Sequence, residues 1–368
     1  MRITDLKIAL VHEFLIQMGG AEKVLQNFHE VFPEAPVYTL FYDEERTKGV
    51  FKGWDIRTSK LQKHYKSYKL TLPLMTKAIE SFDFSNYDVV LSDASAFAKG
   101  VITRKPTVHI CYCHTPTRYL WESMDEYVSQ LPYNALIKWA VRLHLKFVLK
   151  KWDWRAAQRP DYMIANSKTV QGRIKKYYGR DSEVIYPPVA SQFYGGDKGN
   201  KEDWGQYFLT GSRLEPYKKI NLVVEAFNKL NMPLKVVGTG TELEKLKSMA
   251  GANIEFIGRV RDEELRSLYS AARAFVFPAL EDAGIMVLES LSCGTPVIGL
   301  GQGGTAEFIK DSENGVLFAN QTAEDIAAAV KRFQSMDFDS EKLISAVLPF
   351  DKKEFQRKIS EFVYAHRS

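Results

Sequence analysis

Residues 277 to 289 read Phe-Pro-Ala-Leu-Glu-Asp-Ala-Gly-Ile-Met-Val-Leu-Glu, and they contain a strand end, a loop and the start of a helix. The apolar run up to Phe277 stops at Pro278, which predicts a buried strand, and the apolar run from 285 to 291 predicts a helix. The free amides at such a helix start suit an anion, in particular a diphosphate. Glu281 and Glu289 would repel an anion by charge alone. Two carboxylates nevertheless fit the hydroxyls that flank a diphosphate, with sugar on one side and ribose on the other.

The beginning of the chain shows a similar pattern. Apolar residues from Lys7 to His12 predict a buried strand, Gly19 and Gly20 follow it, and apolar spacing after them predicts a helix. Strand, Gly-rich turn and helix open a doubly wound α/β domain, and the glycines let a ligand approach the backbone. A later strand over 107–113 runs directly into His114. Because ligands of such domains bind beyond the carboxyl ends of the strands, His114 is a candidate site residue.

The second half of the chain starts with a further strand and a basic loop. Arg213 and Lys218 follow the strand predicted over 206–210, and both side chains suit a diphosphate. Their positive charge would also counter the negative charge that grows on a leaving nucleotide. Another strand, over 233–237, meets a Gly-x-Gly turn that begins at Gly238. That turn alone indicates a dinucleotide site only weakly, because the third glycine of the fingerprint is missing.

Taken together, these segments resemble the retaining glycosyltransferases of family 4, which have the GT-B fold. The resemblance rests on the Glu–seven residues–Glu pattern, Ser-Cys-Gly-Thr-Pro at 292–296, Gly-Gly-Thr-Ala-Glu at 303–307 and the Arg213–Lys218 segment, and it covers nearly the whole chain. Within the family, the chain looks most like bacterial mannosyltransferases of O-antigen and capsule assembly. The family often has an aromatic residue where Ala283 stands, which leaves the donor sugar less well defined.

The resemblance implies an α/β architecture of two Rossmann-like, doubly wound domains that face a cleft, with a C-terminal helix that crosses back to the first domain. It implies catalytic roles for His114, Glu281, Arg213 and Lys218. It implies donor contacts from Arg213, Lys218, Gly238, Arg259, Val260, Glu281, Ala283, Gly284, Ile285, Met286 and Glu289. Acceptor or cleft contacts are expected from Gly19, Gly20, His114, Arg118 and Trp121.

Length and composition agree with two soluble globular domains. The chain has 368 residues, of which 45% are hydrophobic and 26% charged. A double Pro followed by a polar stretch places the boundary near 190, so we predict an acceptor domain at 1–190 with the tail 348–368, and a nucleotide-sugar domain at 191–347. The three cysteines predict buried thiols rather than disulfides or zinc. No signal peptide or spanning segment is recognisable, so a cytoplasmic location is expected.

Positive charge is concentrated in the first half. Residues 1–190 carry 28 Lys and Arg against 20 Asp and Glu, whereas residues 191–368 carry 22 against 25. Because no nucleic-acid motif accompanies this charge, an anionic membrane or a lipid pyrophosphate is the better expected partner. The basic, aromatic segment 52–69 is most simply a solvated surface. The helix predicted over 135–155 carries basic residues at 138, 142, 146 and 150. It fits either binding at a membrane interface or packing on the domain core.

The expected activity is transfer of a hexose with retained anomeric configuration, with GDP-mannose as donor, onto a lipid-linked or oligosaccharide acceptor in cell-surface glycan synthesis. No cofactor or metal is expected. The pair Asp337 and Asp339 suggests a metal site only by its spacing, and solvation is the simpler interpretation. Two alternatives stay open: an inactive homologue that serves as a glycan-binding or scaffold subunit, and a GT-B sugar-nucleotide epimerase. A peripheral position on the inner face of the plasma membrane is a further expectation.

Overall fold

The computed structural model describes residues 6–195 and 205–367. The chain divides into two compact units, one formed by Met1–Tyr186 with Phe355–Ser368 and the other by Pro187–Glu354. The sequence prediction puts the corresponding limits at 190 and 348. None of the helices in the described parts of the chain is both long and apolar enough to cross a bilayer.

In the first unit, the described residues form a parallel sheet of seven strands. Its strand order is β3-β2-β1-β4-β5-β6-β7. The strands are β1 (Ile8–Leu15), β2 (Val37–Tyr42), β3 (Ile56–Thr58), β4 (Val89–Ala94), β5 (Val108–Cys113), β6 (Tyr162–Ala165) and β7 (Glu183–Val184). The order reverses direction between β1 and β4, and this reversal creates the crevice in which doubly wound sheets bind ligands.

Helices connect these strands. They are α1 (Gly20–Val31), α2 (Leu72–Glu80), α3 (Arg118–Trp121), α4 (Met124–Ser129), α5 (Ala135–His144), α6 (Lys150–Ala156) and α7 (Lys168–Tyr178). A 3-10 segment covers Lys60–Thr71, and a π-helical turn over Leu145–Leu149 joins α5 to α6. Serine after a predicted strand is a favoured helix N-cap, so the sequence predicts a helix start at Ser167. Ser167 does cap α7, because its hydroxyl accepts a hydrogen bond from the Val170 amide at 3.0 Å.

Both faces of the first sheet are covered by apolar side chains. Successive residues of β1 alternate between two buried clusters, as expected of a strand in a two-sided sheet. One cluster includes α15 (Lys352–Ala365), whose Phe355 ring lies 5.9 Å from that of Phe28. The expected return of the C-terminal helix to the first unit is therefore confirmed. The thiols of Cys111 and Cys113 are buried in this sheet, and burial raises the pKa of Cys111 to about 12.

The second unit repeats the pattern with a six-stranded parallel sheet in its described residues. Its order is β10-β9-β8-β11-β12-β13. Its strands are β8 (Phe208–Gly211), β9 (Leu234–Val237), β10 (Ile254–Gly258), β11 (Phe275–Phe277), β12 (Val297–Leu300) and β13 (Gly315–Phe318). The helices are α8 (Ile220–Leu230), α9 (Leu243–Met249), α10 (Asp262–Ala271), α11 (Ile285–Ser292), α12 (Thr305–Phe308), α13 (Ala323–Phe333) and α14 (Ser340–Val347). Here the order reverses between β8 and β11.

Candidate functional site

The stretch that opens the sequence lies at the reversal point of the second sheet. Glu281 belongs to the loop between β11 and α11, and Gly284 starts the helix in the left-handed conformation, with φ of 61°. That backbone conformation favours glycine. The first amides of α11, from Ile285 and Met286, have no partner within the helix and lie half-buried. Ala283 lies buried beside them, and Glu289 is only 6% exposed.

The basic loop after β8 reaches the same place. The ammonium group of Lys218 pairs with the Glu281 carboxylate, and neither side chain is more than about a fifth exposed, at 12% and 21%. Arg213 donates a hydrogen bond to the Tyr217 hydroxyl at 2.9 Å and is otherwise exposed. Lys218 and Glu281, two predicted site residues that are 63 positions apart, are thus in direct contact. The loops that carry them follow β8 and β11, the two strands on either side of the reversal.

A glycine pair that sequence reasoning assigned only by resemblance holds the Glu281 loop in position. The Gly304 amide donates to the Glu281 carbonyl at 2.8 Å. A Cβ atom at Gly304 would meet the Asp282 carbonyl oxygen at 2.5 Å, so only glycine fits without a backbone shift. Gly304 therefore helps to set the position of the loop that carries Glu281 through its backbone alone.

Three further predicted donor residues lie at the ends of β9 and β10. Gly238 has φ of 123°, and a Cβ there would lie 1.8 Å from the Ser212 carbonyl oxygen, so the turn after β9 packs directly on the loop after β8. Arg259 is exposed and Val260 half-buried. The structure brings Gly238 next to the Arg213 loop, and no contact between Arg259 or Val260 and the other predicted residues is recorded in the described part of the chain.

In the first unit, His114 belongs to a row of buried charged groups. Its Nε2 atom is hydrogen-bonded to one carboxylate oxygen of Asp93, and the other oxygen lies 2.7 Å from Nδ1 of His12. Nε2 of His12 in turn lies 3.9 Å from Glu22. Asp93 is fully buried, whereas the His114 side chain is 14% exposed. The row therefore runs from Glu22 on α1 through His12 on β1 and Asp93 on β4 to His114 after β5, at the reversal point of the first sheet.

This arrangement fixes the charges of the row. Burial alone would lower the pKa of His12, but Asp93 and Glu22 outweigh burial and raise it to about 10. Burial alone would also lower the pKa of His114, but the Asp93 carboxylate outweighs burial and raises it. Burial would raise the pKa of Asp93, yet the two imidazoles hold it below its ordinary value. Both histidines are therefore stabilised as cations, and within the described residues no hydrogen bond to Nδ1 of His114 is seen.

The Gly19–Gly20 turn is tied to the same row. Gly20 begins α1, and a Cβ atom on Gly19 would lie 3.0 Å from the Glu22 carboxylate. Glu13, next to His12, accepts hydrogen bonds from the Ser95 amide at 2.8 Å and the Ala98 amide at 3.2 Å. Sequence reasoning missed His12, Asp93, Glu22 and Glu13. The signal that could have indicated them is that β1 and β4, which are neighbours in the sheet, each carry polar residues in their second half.

Beyond His114, the loop to α3 is anchored on a buried ion pair. Lys99 and Asp153 are each about 1% exposed, with Nζ and Oδ1 2.6 Å apart. Asp153 also accepts hydrogen bonds from Thr117 at 2.6 Å, Trp121 at 2.7 Å and Tyr178 at 2.8 Å. Trp121, an expected acceptor contact, thus has its indole N–H directed at Asp153. Arg118 is half-exposed, 3.9 Å from Glu122.

Candidate metal ligands do not converge in the described chain: no group of three His, Cys, Asp or Glu side chains there is arranged to hold a metal ion. Both members of the Asp-x-Asp pair are exposed to solvent, as the simpler interpretation expects. The Asp339 carboxylate in addition caps α14, since it accepts from the Glu341 amide at 3.0 Å.

Each half of the chain matches the model of a known protein family. The Glycosyltransferase Family 4 model matches residues 18–193, and the Glycosyl transferases group 1 model matches residues 197–347. An uncharacterized glycosyltransferase of Methanocaldococcus jannaschii is 23% identical over 56% of this chain and 57% of its own length. O-antigen chain mannosyltransferase B of Escherichia coli is 36% identical over 26% of this chain and 28% of its own length. The chain spans about half the length of the curated relatives it matches first.

Solved structures support the same fold over the whole chain. HepE of Anabaena, crystallised in complex with UDP, aligns with a TM-score of 0.69 at 16% identity, over 98% of this chain and 100% of that one. Two parallel, doubly wound sheets and this similarity identify the fold as GT-B. The chain therefore has the GT-B fold and matches one glycosyltransferase family model in each of its halves.

Proposed function

We propose that the protein transfers a hexose from a nucleotide sugar, with retained anomeric configuration, onto a lipid-linked or oligosaccharide acceptor. The observation that carries this proposal is the contact of Lys218 with Glu281 beside the free amides of α11. A cation, a carboxylate and a helix N-terminus at the reversal point of a sheet suit a sugar diphosphate. The cation and the amides attract the diphosphate, and the carboxylate attracts sugar hydroxyls.

The second unit would bind the donor. Arg213 and Lys218 would contact the diphosphate and stabilise the charge of the leaving nucleotide, and Glu289 would accept hydrogen bonds from the ribose hydroxyls. Glu281 would hold hydroxyls of the sugar while its pairing keeps Lys218 close to the phosphates. In the first unit, His114 would offer Nδ1, the ring nitrogen not bonded to Asp93, as a cationic donor to an oxygen of the reacting sugars.

We propose mannose as the sugar and GDP-mannose as the donor, in cell-surface glycan synthesis. This finer proposal is supported by the family resemblance and by the name of the E. coli relative, O-antigen chain mannosyltransferase B. A screen of nucleotide sugars by thermal shift tests it, since a ligand at 100 times its Kd stabilises by about 2.7 kcal/mol. GDP-mannose should raise the melting temperature more than UDP-glucose does. If only a UDP-sugar stabilises the protein, the donor is a UDP-sugar and not GDP-mannose. If no nucleotide sugar stabilises it, the transferase proposal is contradicted.

Two variants make the screen specific. Lys218→Met should weaken donor binding by about 1.5–3 kcal/mol, the worth of a hydrogen bond to a charged group. Lys219→Met removes the same charge from the next residue, which is the N-cap of α8 and makes no contact with Glu281 within the described chain. It should bind the donor as the wild type does. NMR of the product would establish whether the anomeric configuration is retained.

Catalysis without a metal ion is part of the proposal. Arg213, Lys218 and the amides of α11 together supply positive potential of the kind that a divalent ion gives a leaving diphosphate. Turnover should therefore be unchanged in EDTA. Loss of turnover in EDTA with recovery on adding manganese would contradict this.

The first unit, with 28 basic against 20 acidic residues over 1–190, is proposed to approach an anionic membrane to reach a lipid-linked acceptor. The protein would then act as a peripheral enzyme at the membrane surface.

A further inference from the structure

The helix over residues 135–156 has an outer face that is strongly apolar. Of the twelve large apolar side chains that are exposed in the described residues, seven lie between Tyr133 and Trp154. The most exposed are Leu136 at 74%, Phe147 at 61%, Trp139 at 58% and Val148 at 55%. None of the ten residues of α5 is buried. These side chains therefore do not pack in the domain core, and the core packing considered for this helix is made by other residues.

The apolar residues of this helix face two different sides. The helix contacts the core through Leu145 and Leu149, which are 0% and 2% exposed. Residues 136, 140 and 147 are exposed and residue 143 is half-buried, so these apolar residues lie away from the side on which Leu145 is buried. The helix is consequently apolar on its inner edge and again on its outer face. A contiguous apolar face that is exposed in this way marks an interaction surface.

The border of this face is basic. Lys138, Arg142, Lys146 and Lys150 lie along one side of the outer stripe. The one carboxylate within residues 135–156 is Asp153, which is buried against Lys99. Arg142 is paired with Asp125 of α4, 2.7 Å away, and Lys150 lies over the Trp121 ring at 4.3 Å. Lys146 remains close to the exposed Phe147 ring, at 5.3 Å.

We propose that this face is inserted into the interface of an anionic bilayer. Leucine, phenylalanine and valine would enter the acyl boundary, Trp139 would lie at the headgroup level, and the lysines would reach anionic lipid phosphates. A second copy of the chain fits less well. A symmetric dimer through this face would bring the same basic residues of both copies together, and they would repel each other. The inference deepens the proposed membrane contact by naming the surface and the depth at which it acts.

Vesicle flotation tests the assignment. Wild-type protein should float with vesicles of 70% phosphatidylcholine and 30% phosphatidylglycerol, and the variant Leu136→Glu/Trp139→Glu/Phe147→Glu should not. Each substitution should weaken partitioning by about tenfold or more, because burial of one such side chain is worth roughly 1.5–3 kcal/mol. The matched control is Ile102→Glu with Leu348→Glu, which changes two exposed apolar residues elsewhere, 44% and 52% exposed, and should float normally.

Insertion depth is measured separately. The three cysteines are buried, so a cysteine introduced at Ala140 can be labelled selectively with an environment-sensitive fluorophore. Its emission should shift to the blue when vesicles are added, whereas a label on Ser335→Cys in the second unit should not respond. Salt should weaken initial binding, yet the blue shift of bound protein should persist, because apolar insertion is not screened.

Four outcomes would overturn the proposal. These are wild-type protein that stays unbound, flotation of the triple variant, loss of flotation in the control, and concentration-dependent dimerisation that the triple variant abolishes. Hydrolysis of a nucleotide sugar, measured without vesicles, separates a failure of the membrane proposal from a failure of the proposed function. If the triple variant loses flotation but keeps hydrolysis, its defect is specific to the membrane face. If the wild-type protein floats but does not hydrolyse a nucleotide sugar, only the transferase proposal is contradicted.

Discussion

Replacing Lys99 by methionine should destabilise the first unit strongly. The substitution preserves the length of the side chain but leaves the Asp153 carboxylate without its cation, at a position where both groups are about 1% exposed. Removing one partner of a buried ion pair typically costs about 3–5 kcal/mol. For a unit of this size, that loss corresponds to a melting temperature lower by roughly 6–20 °C.

Hydrogen bonds to Asp153 make simple compensation impossible. A double variant with Asp153→Leu removes the unpaired charge, but Thr117, Trp121 and Tyr178 then lose their acceptor. Each buried donor without a partner costs about 1–3 kcal/mol, so the double variant should also be destabilised. This differs from isolated buried pairs, which apolar residues often replace without loss.

Tryptophan fluorescence during urea unfolding is a suitable assay, because five of the six tryptophans lie in the first unit. Burial alone would lower the pKa of Lys99, but Asp153 outweighs it and raises the pKa. The stabilisation by the pair is therefore fully present below the ordinary lysine pKa of about 10.4, and it is lost as the pH rises through the folded value. A loss smaller than about 1 kcal/mol for Lys99→Met at pH 7 would refute this reasoning.

Three further predictions concern the site residues. Glu289→Ala should lose about 2–4 kcal/mol of donor affinity by calorimetry if its carboxylate binds the ribose, and unchanged binding by a folded variant would exclude that role. Asp93→Asn should lower the imidazole pKa values of His12 and His114 in NMR titrations. The stability advantage of the wild type over this variant should be largest between about pH 4 and 6.5 and should disappear as the pH rises through about 10, the pKa of His12. Gly304→Ala should displace the Glu281 loop and reduce turnover at least about tenfold, the effect of roughly 1.4 kcal/mol, whereas Gly172→Ala, where a Cβ meets nothing within 4 Å, should leave turnover unchanged.

The sequence predicted those parts of the fold that follow from local patterns. Apolar runs that end at Pro278 or before His114 predicted buried strands, and Ser167 predicted a helix start, because each depends on residues close together in the chain. Spacing along the chain could not predict the contact of Lys218 with Glu281, since that contact depends on which strands become neighbours. Asp93 was missed for the same reason. Its role appears only when β4 lies between β1 and β5.

Helix 135–156 shows another limit of sequence patterns. The periodicity identified an amphipathic helix but did not distinguish the apolar side that faces the core from the one that faces outward. The π-helical turn at Leu145–Leu149 changes the angular spacing of the residues after it, and no residue type in that segment predicts such a turn. Which apolar residues are buried therefore had to come from the structure.

The chain enters and leaves the second unit at a single place. The first and last residues of this unit are held together, because the Val189 amide donates to the Phe350 carbonyl at 2.9 Å and Val189 bridges Asp351. The core of the first unit, in contrast, requires Phe355 and Phe362 from the far end of the chain. If the second unit binds the donor as proposed, a chimaera that exchanges donor specificity between relatives should exchange residues 187–354 as one piece. A chimaera made with one crossover near residue 187 would instead give the first unit a foreign C-terminal helix and disrupt its core.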